Sequence, residues 1–345
     1  MLRSLKIILS TTKHLPSCCC SGFVSRTRYV NWLKEDDEAC LAALENGHIF
    51  LFHHLHPLLQ RTKTGTLRPA ALISSDLQSV LERLGSDRSL MKESVLLGCS
   101  EQNQALFCLD VGELDQATVE EECTGNFMDL GKSLFLLTGE EVPLLVKVYS
   151  QGQALLRWHQ TSRFCSATGQ LTQRNQAGSQ RVCSSNGIVY YPKMSPVVIV
   201  LVSDGKRCLL VRQSSFPRGM YSALAGFCDM GESLEEALCR EVAEEVGLEV
   251  QSVSYSSSQH WPFPHSSFML GCHATVSPAH TQLQVDHAEL EDARWFSSEE
   301  INSALKVKTP PRRGDPPILW LPPKQAIAHR LITEWMEQQK LTSGL

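Results

Sequence analysis

The sequence predicts an α/β protein in which a smaller α+β domain precedes a larger domain with an α/β/α layer arrangement. The chain has 345 residues, 42% of them hydrophobic, and is therefore long enough for two domains with separate cores. From Tyr190 onward, apolar segments of strand length stand on both sides of one helical pattern at residues 233–246, which favours layers of helix and sheet. Residues 29–150 mix short apolar runs with breaks rich in Gly, Asp and Gln, as is typical of a smaller mixed domain.

The N-terminal segment has the composition of a mitochondrial transit peptide. The first 34 residues contain six Lys and Arg residues with Ser and Thr between them, and the first acidic residue is Glu35. Residues 1–28 are therefore predicted to be a transit peptide, which directs the protein to the mitochondrion and there to the matrix. An ordinary disordered N-terminus is the alternative.

Composition excludes several other classes of protein. The net charge of -5 is mild and no long block of like charge occurs, so duplex nucleic acid is not an expected partner. The longest apolar run, at 196–202, is far shorter than the roughly 20 residues that a membrane helix requires, so no membrane association is expected. The 13 cysteines are scattered at irregular spacings apart from Cys18 to Cys20, which favours reduced thiols over a disulfide framework.

The order of elements can be predicted beyond residue 150. A helical stretch at 154–158 leads into a turn-rich connector within residues 151–190, and a regular domain follows at 191–345. Strands are predicted at 197–202, at 208–212, in a segment running into Ala225, and near 253–257, 268–275 and 293–296. Two further helices are predicted to begin near Ser298 and Lys324.

The helix at 233–246 has signals at both ends. Ser233 is followed three residues later by Glu236, which is the spacing of a capping box. Gly247 supplies the residue type that most readily adopts the left-handed conformation at a helix C-terminus.

Three glutamates on this helix predict a metal site. Glu241, Glu244 and Glu245 fall within an arc of about 100°, so their carboxylates converge on one side of the helix and repel one another. Hard divalent cations such as Mg2+ or Mn2+ prefer oxygen ligands and would compensate these charges. Arg240 and Glu232 are candidates for an ion pair that fixes the preceding loop against the helix. The alternative is a solvated acidic face.

The segment from Gly226 to Leu248 resembles the Nudix box, G-x5-E-x7-R-E-U-x-E-E-x-G-U, without a departure. Its matching positions are Gly226, Glu232, Arg240, Glu241, Val242, Glu244, Glu245, Gly247 and Leu248. The resemblance implies a Nudix α/β/α sandwich and metal-dependent hydrolysis of a diphosphate. It implies metal ligation by Glu241, Glu244, Glu245 and the carbonyl of Ala225, with Glu244 or Glu245 as the proton acceptor. Gly226, Glu232, Arg240 and Gly247 would have structural roles.

A second motif resembles the SQPWPFPxS array of the NADH pyrophosphatase subfamily, with His260 in place of a proline. It consists of Ser258, Gln259, His260, Trp261, Pro262, Phe263, Pro264 and His265, followed by Ser266. A stiff Trp-Pro-Phe-Pro loop with two aromatic faces suits a flat heterocycle and its ribose, and the alternative is that Trp261 and Phe263 are core residues.

The same resemblance implies further site residues. Glu289 would be another metal ligand, and Tyr191, the loop from Ser258 to His265 and Ala328 would contact the dinucleotide. We also hypothesise that Phe227 is a stacking platform for nicotinamide. The resemblance implies a homodimer in which Tyr191 reaches toward the site of the neighbouring subunit.

Members of this subfamily often carry a zinc ribbon with two C-x2-C pairs. Here the pairs read Cys165-Ser-Ala-Thr168 and Cys183-Ser-Ser-Asn186, so two of the four thiols are missing. Two thiolates cannot close a tetrahedral structural zinc site, so no zinc is expected. Gly169 and Gly187 still punctuate the two turns, which predicts a degenerate zinc-ribbon-like connector.

The expected activity is hydrolysis of NADH, and also of NADPH or NAD+, to the nicotinamide mononucleotide and AMP or 2',5'-ADP. One alternative is a Nudix hydrolase that acts on NAD-capped RNA, ADP-ribose or dinucleoside polyphosphates. Another is a non-catalytic Nudix module that senses a nucleotide, although such a module has no need of Glu241, Glu244 and Glu245 together.

Overall fold

The computed structural model describes residues 22–61, 67–136, 142–307 and 318–342, so residues 1–21 of the predicted transit peptide lie outside the described residues. The chain divides into two compact units between Lys193 and Met194. Each unit has its own hydrophobic core, as expected for a chain of this length.

The N-terminal unit is an α+β domain followed by a small ribbon. Its helices are α1 (Phe23–Glu35), α2 (Asp37–Glu45), α3 (Ser74–Arg83), α4 (Gln116–Glu122), α5 (Leu130–Leu136) and α6 (Val142–Thr161), with a 3-10 turn at Arg88–Glu93. Its strands are β1 (His48–His53), β2 (His56–Arg61), β3 (Leu67–Pro69), β4 (Ala71–Ile73), β5 (Val95–Cys99), β6 (Ala105–Asp110), β7 (Asn126–Phe127), β8 (Thr172–Arg174), β9 (Arg181–Cys183) and β10 (Val189–Tyr190). Helix α1 spans the predicted limit of the transit peptide at residue 28, and α6 spans the predicted domain limit at residue 150.

Strands β1 to β7 form one sheet in the order β3-β2-β1-β6-β5, with β4 and β7 paired to β1 and β2. Strands β1 and β6 are parallel, and the other pairs are antiparallel. Buried side chains from this sheet, such as Ile49 and Phe107, pack with Leu33 of α1 and Leu77 of α3. The predicted smaller α+β domain is confirmed.

In the described residues of the C-terminal unit, six strands form one sheet with helices on both faces. Its strands are β11 (Ser195–Ser203), β12 (Arg207–Arg212), β13 (Leu224–Phe227), β14 (Val250–Trp261), β15 (Ser267–Val276) and β16 (Asp292–Ser297). Its helices are α7 (Leu234–Val246), α8 (Ser298–Ala304) and α9 (Ile327–Thr342). All the strands and helices predicted beyond residue 190 are present.

Alternation along β11 divides the core into two layers. Ile199 and Leu201 face a cluster that includes Leu331 of α9, whereas Val200 and Val202 face a cluster that includes Val242 of α7. Successive side chains of a strand point to opposite faces, so a continuous apolar strand can be covered by helices on both sides. The predicted α/β/α sandwich is confirmed.

The pairing of β11 places the start of the Nudix box. Strand β12 pairs with the end of β11, and β13 pairs with its first half on the same edge, with Val198 opposite Gly226. Strand β15 runs parallel to β11 along the other edge. The sheet order is β14-β15-β11-β12-β16, so β13 and the loop that follows it lie beside the central strand.

Both predicted ends of α7 are confirmed. Ser233 Oγ accepts a hydrogen bond from the Glu236 amide at 3.2 Å, and Glu236 Oε2 accepts one from the Ser233 amide at 2.8 Å. Gly247 has a φ of 69° and donates its amide to the carbonyl of Ala243. The helix therefore begins and ends at defined residues, which fixes the positions of the glutamates between them.

Candidate active site

Gly226 allows the carboxylate of Glu241 to lie directly against strand β13. A Cβ built on Gly226 would overlap the Glu241 carboxyl group, so no other residue type fits without moving that side chain. Glu241 is buried on α7, and Ala225 precedes Gly226 on β13, opposite Ile199. Strand and helix thus bring the predicted ligands Ala225 and Glu241 together.

Arg240 joins the loop before α7 to the acidic residues of the helix. Its Nε and Nη2 donate to the two carboxylate oxygens of Glu232 at 2.6 and 2.9 Å. Its Nη1 donates to Glu241 and to Glu244, both at 2.9 Å, and Nη2 also donates to the carbonyl of Phe227 at 2.8 Å. The predicted ion pair of Arg240 with Glu232 is confirmed.

The charges of this pair are fixed by their mutual contact. The hydrogen bond from Arg240 lowers the pKa of Glu232 to about 2, helped by the amide of Asp229, which donates to the same carboxylate at 2.8 Å. The same contact raises the pKa of Arg240 above its ordinary value, with further support from Glu244 and Glu241. Both groups are therefore ionised throughout the neutral range, and the loop stays attached to the helix.

Glu245 is the most deeply buried carboxyl group of the site, and other carboxylates lie around it. Its side chain is 3% exposed, and Oε2 has no hydrogen-bond partner within the described residues. Burial raises its pKa to about 8, and the neighbouring charges of Glu241, Glu289, Asp286 and Glu244 contribute to the rise. Burial also raises the pKa of Glu241, where Arg240 opposes the effect and Glu244 and Glu289 add to it.

A divalent cation fits this donor set. A buried carboxylate oxygen without a hydrogen-bond partner destabilises the fold unless a cation lies beside it. Carboxylate oxygens are the ligands that Mg2+ and Mn2+ prefer. Within the described ranges, no three His, Cys, Asp or Glu side chains are already spaced as ligands of one ion. Glu241 and Glu244 are instead turned to Arg240.

A loop at 284–290 carries two further carboxylates to the end of α7. The amides of Gln284 and Asp286 donate to the carbonyls of Val246 and Glu245, both at 2.9 Å. These contacts satisfy carbonyl groups at the helix C-terminus that have no partner within the helix. Glu289 is exposed on this loop, close enough for its charge to raise the pKa of Glu245. Asp286 was missed in the sequence, where its only signal is its place three residues before Glu289.

The segment from Ser258 to His265 is only partly a loop. The structure corrects the expectation for its first four residues, because β14 continues through Trp261, which pairs with Ser267 of β15. The Gln259 side chain donates to the carbonyl of Gln325 at 2.6 Å and accepts from the amide of Ile327 at 2.8 Å, so it holds the start of α9.

The rest of the segment mixes buried and exposed residues. His260 Nε2 lies 2.9 Å from Ser266 Oγ, while Ser258 is exposed. The rings of Trp261 and Phe263 meet edge to face, with centroids 5.5 Å apart, and Trp261 also packs against the core beneath α9. Pro262 is buried, and Pro264 and His265 are exposed.

The remaining predicted contact residues lie in three different settings. Phe227 is 56% exposed directly after Gly226, and its carbonyl is held by Arg240. Ala328 is buried in the core of the C-terminal unit. Tyr191 is 60% exposed and belongs to the N-terminal unit.

The ribbon keeps the turns that its glycines predict. Strands β8, β9 and β10 form an antiparallel sheet in the order β10-β9-β8. Gly169 and Gly187 have φ values of 70° and 71°, and their amides donate to the carbonyls of Cys165 and Cys183 at 2.8 and 3.0 Å. Each turn therefore brings the residues of one former C-x2-C pair together.

Three family descriptions match consecutive parts of the chain. The NADH pyrophosphatase-like rudimentary NUDIX domain matches residues 46–158, the NADH pyrophosphatase zinc ribbon domain residues 160–191 and the NUDIX domain residues 193–316. The human protein named NAD(P)H pyrophosphatase NUDT13, mitochondrial, is 52% identical over 335 residues and covers 94% of each chain. The protein of the same name from Mus musculus is 52% identical over 336 residues, again with 94% of each chain covered.

This chain belongs to the Nudix hydrolase family.

The comparisons confirm the predicted resemblance to the NADH pyrophosphatase subfamily and the mitochondrial location. A protein named NAD-capped RNA hydrolase NUDT12 from Macaca fascicularis is 44% identical over 199 residues, which cover 55% of this chain and 41% of that protein. In the part of the chain that the structure describes, no helix has the length and apolar character needed to cross a membrane.

The Nudix-box arginine provides the first test. Replacing Arg240 with Lys keeps the charge but removes the fork that reaches Glu232, Glu241, Glu244 and the Phe227 carbonyl at once. We expect the kcat/KM for NADH hydrolysis to fall by about 10- to 100-fold, the usual effect of losing a residue that orients metal ligands.

The matched control is Arg330→Lys, since Arg330 forms an exposed ion pair with Glu334 on α9, away from the box. The control is expected to retain activity. Full activity of the Arg240→Lys variant would show that the fork does not organise the site.

Proposed function

We propose that this Nudix protein hydrolyses the diphosphate bond of NADH, and also of NADPH and NAD+, in a reaction that depends on Mg2+ or Mn2+. The products would be the nicotinamide mononucleotide and AMP, or 2',5'-ADP from NADPH. The observation that carries the proposal is the buried, unpartnered Oε2 of Glu245 among four other carboxylates. The human and mouse relatives named NAD(P)H pyrophosphatase support the choice of substrate.

The residues that would hold the metal are the carbonyl of Ala225 and the side chains of Glu241, Glu244, Glu245 and Glu289. When bound, the metal supplies positive charge at the phosphate oxygens and a more acidic water molecule. Glu241 is placed for this role by the absence of a side chain at Gly226. The 284–290 loop keeps Glu289 at the end of α7 through its backbone contacts.

The residues of the chain supply the proton acceptor and hold the carboxylates close together. Glu245 or Glu244 would take the proton from the attacking water, and the two differ in setting. Glu245 is nearly inaccessible, whereas the side chain of Glu244 is 60% exposed and bonds Arg240. Arg240 holds the acidic helix against the loop that follows Phe227, so the carboxylates cannot separate under their own repulsion.

Recognition of the dinucleotide would use Phe227 next to the box and the half-buried aromatic pair that follows β14. Phe227 presents its ring one residue beyond Gly226, and Trp261 and Phe263 form a stiff aromatic pair. Pro264 and His265 follow that pair in the chain and are exposed, as is Ser258 on β14. Gln259, His260, Pro262 and Ala328 would contribute mainly by shaping the surface, since their side chains are engaged within the fold.

The activity is tested by incubating the chain with NADH and Mg2+ or Mn2+ and separating the products by chromatography. The proposal predicts reduced nicotinamide mononucleotide and AMP in equal amounts. Glu245→Gln and Glu244→Gln are each expected to lower kcat, and the variant that lacks the general base by about 100- to 10,000-fold. Glu337→Gln on α9 is the matched control. No hydrolysis of NADH, NADPH or NAD+ would contradict the proposal.

NAD-capped RNA is a second candidate substrate, supported by the macaque relative named for that activity. It contains the same diphosphate linkage with a polynucleotide attached. The test compares the kcat/KM for a capped oligonucleotide with the kcat/KM for NADH. A higher value for the capped oligonucleotide would favour the second candidate over the first.

We propose that the chain forms a homodimer in which Tyr191 acts at the site of the partner subunit. An exposed aromatic side chain is well suited to contact a nucleotide. The test mixes two variants with low activity, Tyr191→Ala and Glu245→Gln, and lets the subunits exchange. Activity is expected to reappear, because each mixed dimer has one site with both residues intact. If sedimentation shows dimers and activity does not reappear, Tyr191 acts within its own subunit or not at all.

We propose that the ribbon at 151–190 holds no structural zinc. Thr168 and Asn186 stand at two of the four ligand positions, and neither supplies a thiolate. The proposal expects less than stoichiometric zinc in the purified chain by atomic emission spectrometry. One zinc per chain that disappears in Cys183→Ser would refute it.

We further propose that residues 1–28 are removed on import to the matrix, that 29–150 form the N-terminal domain and that 191–345 form the catalytic domain.

A further inference from the structure

The two remaining ribbon cysteines form a buried pair. The residues Cys165 and Cys183 are 2% and 1% exposed, respectively. Their cover is thin, because the residues of both turns at 166–170 and 184–188 are exposed. Only the exposed residues of these two turns therefore separate the two sulfur atoms from a small oxidant in solvent.

Hydroxyl and amide groups surround the two sulfur atoms. Tyr190 Oη lies 3.0 Å from Cys165 Sγ, and Asn186 Nδ2 lies 3.9 Å from the same sulfur. Ser185 Oγ and Thr168 Oγ1 lie 3.2 and 3.5 Å from Cys183 Sγ. Thr168 and Asn186 stand at the two positions where the family pattern has cysteines. Thr168 contacts Cys183 and Asn186 contacts Cys165, so each joins its own turn to the opposite one.

This environment favours the thiolate form of both cysteines. Hydrogen bonds from Thr168 and then from Tyr190 lower the pKa of Cys165 to about 6, and the Cys183 thiol is close enough to contribute. Hydrogen bonds from Ser185 and Thr168 lower the pKa of Cys183. In contrast, the eight other described cysteines have raised pKa values, with burial as the largest cause. The thiolate is the nucleophilic form of cysteine, so the lowered pKa values and the contacts between the two turns together favour reaction at this pair.

We propose that Cys165 and Cys183 form a reversible disulfide when the protein meets hydrogen peroxide. The Cys165 thiolate attacks one peroxide oxygen, the O–O bond breaks, and a sulfenic acid and hydroxide are left. Cys183 then attacks the sulfenic sulfur and releases hydroxide, which is protonated to water. The two thiols together lose two electrons and two protons, and the peroxide is reduced to two molecules of water. A dithiol reductant reverses the step by thiol–disulfide exchange.

The disulfide would cross-link the same two turns that a metal would otherwise join. It closes the chain between residues 165 and 183, which restricts the unfolded ensemble and stabilises the ribbon. Arg181 and Thr172 already tie the strands of the ribbon together, with the Arg181 Nε to Thr172 Oγ1 hydrogen bond at 2.7 Å, so the cross-link adds to an existing sheet.

Peptide mapping tests the proposal on the full chain. Trypsin cleavage after Arg163, Arg174, Arg181 and Lys193 places each thiol alone in its own peptide. The purified chain is treated with peroxide, blocked with iodoacetamide in denaturant and digested without reduction. We expect the peptides 164–174 and 182–193 to appear as one linked species that a dithiol separates, together with a rise in the Tm of the oxidised chain.

Two variants sharpen the result. Cys183→Ser is expected to leave a Cys165 sulfenic acid that dimedone traps, whereas Cys99→Ser, which removes a half-buried thiol with a raised pKa, is expected to leave the linked species unchanged. Full alkylation of both wild-type peptides after peroxide would overturn the proposal. Stoichiometric zinc on the two thiols would overturn it as well, and neither result depends on whether the chain hydrolyses NADH.

Discussion

The site depends on how one arginine holds several carboxylates together. Arg240 binds Glu232 through two nitrogen atoms, shares a third with Glu241 and Glu244 and reaches the carbonyl of Phe227. Without that cation, the carboxylates of Glu232, Glu241 and Glu244 would lose the partner that they share, and their like charges would repel one another. The arrangement explains why the box needs an arginine, whose planar fork a lysine cannot reproduce.

The sheet explains why this arginine and these glutamates meet a strand at all. The continuous apolar strand β11 is covered by helices on both faces, and β12 and β13 divide one of its edges between them. That division brings Gly226 beside α7, where its missing side chain leaves room for Glu241. Core packing, strand pairing and one glycine together determine where the carboxylates lie.

Local signals in the sequence were sufficient for α7 and for the Arg240–Glu232 pair, because caps, helical spacing and charge all lie within one short segment. Asp286 was missed because its position depends on the long-range backbone contact of its amide with Glu245, which no local pattern reveals. The length of β14 was underestimated for a related reason. The family pattern predicts a loop from Ser258 to His265, but His260 has the amide hydrogen that the usual proline lacks, and the strand continues to Trp261. Gln259 likewise holds the start of α9, a role visible only once the two segments meet.

The central claim is that the buried Glu245 and the carboxylates around it form a divalent-cation site. The most direct measurement is a Mn2+ titration of the chain followed by electron paramagnetic resonance, comparing the wild type with Glu245→Gln and with the control Glu337→Gln. The account predicts saturable Mn2+ binding that is unchanged in the control and weakened by at least about 10-fold in Glu245→Gln. Equal Mn2+ affinity in all three proteins, or none in the wild type, would contradict it.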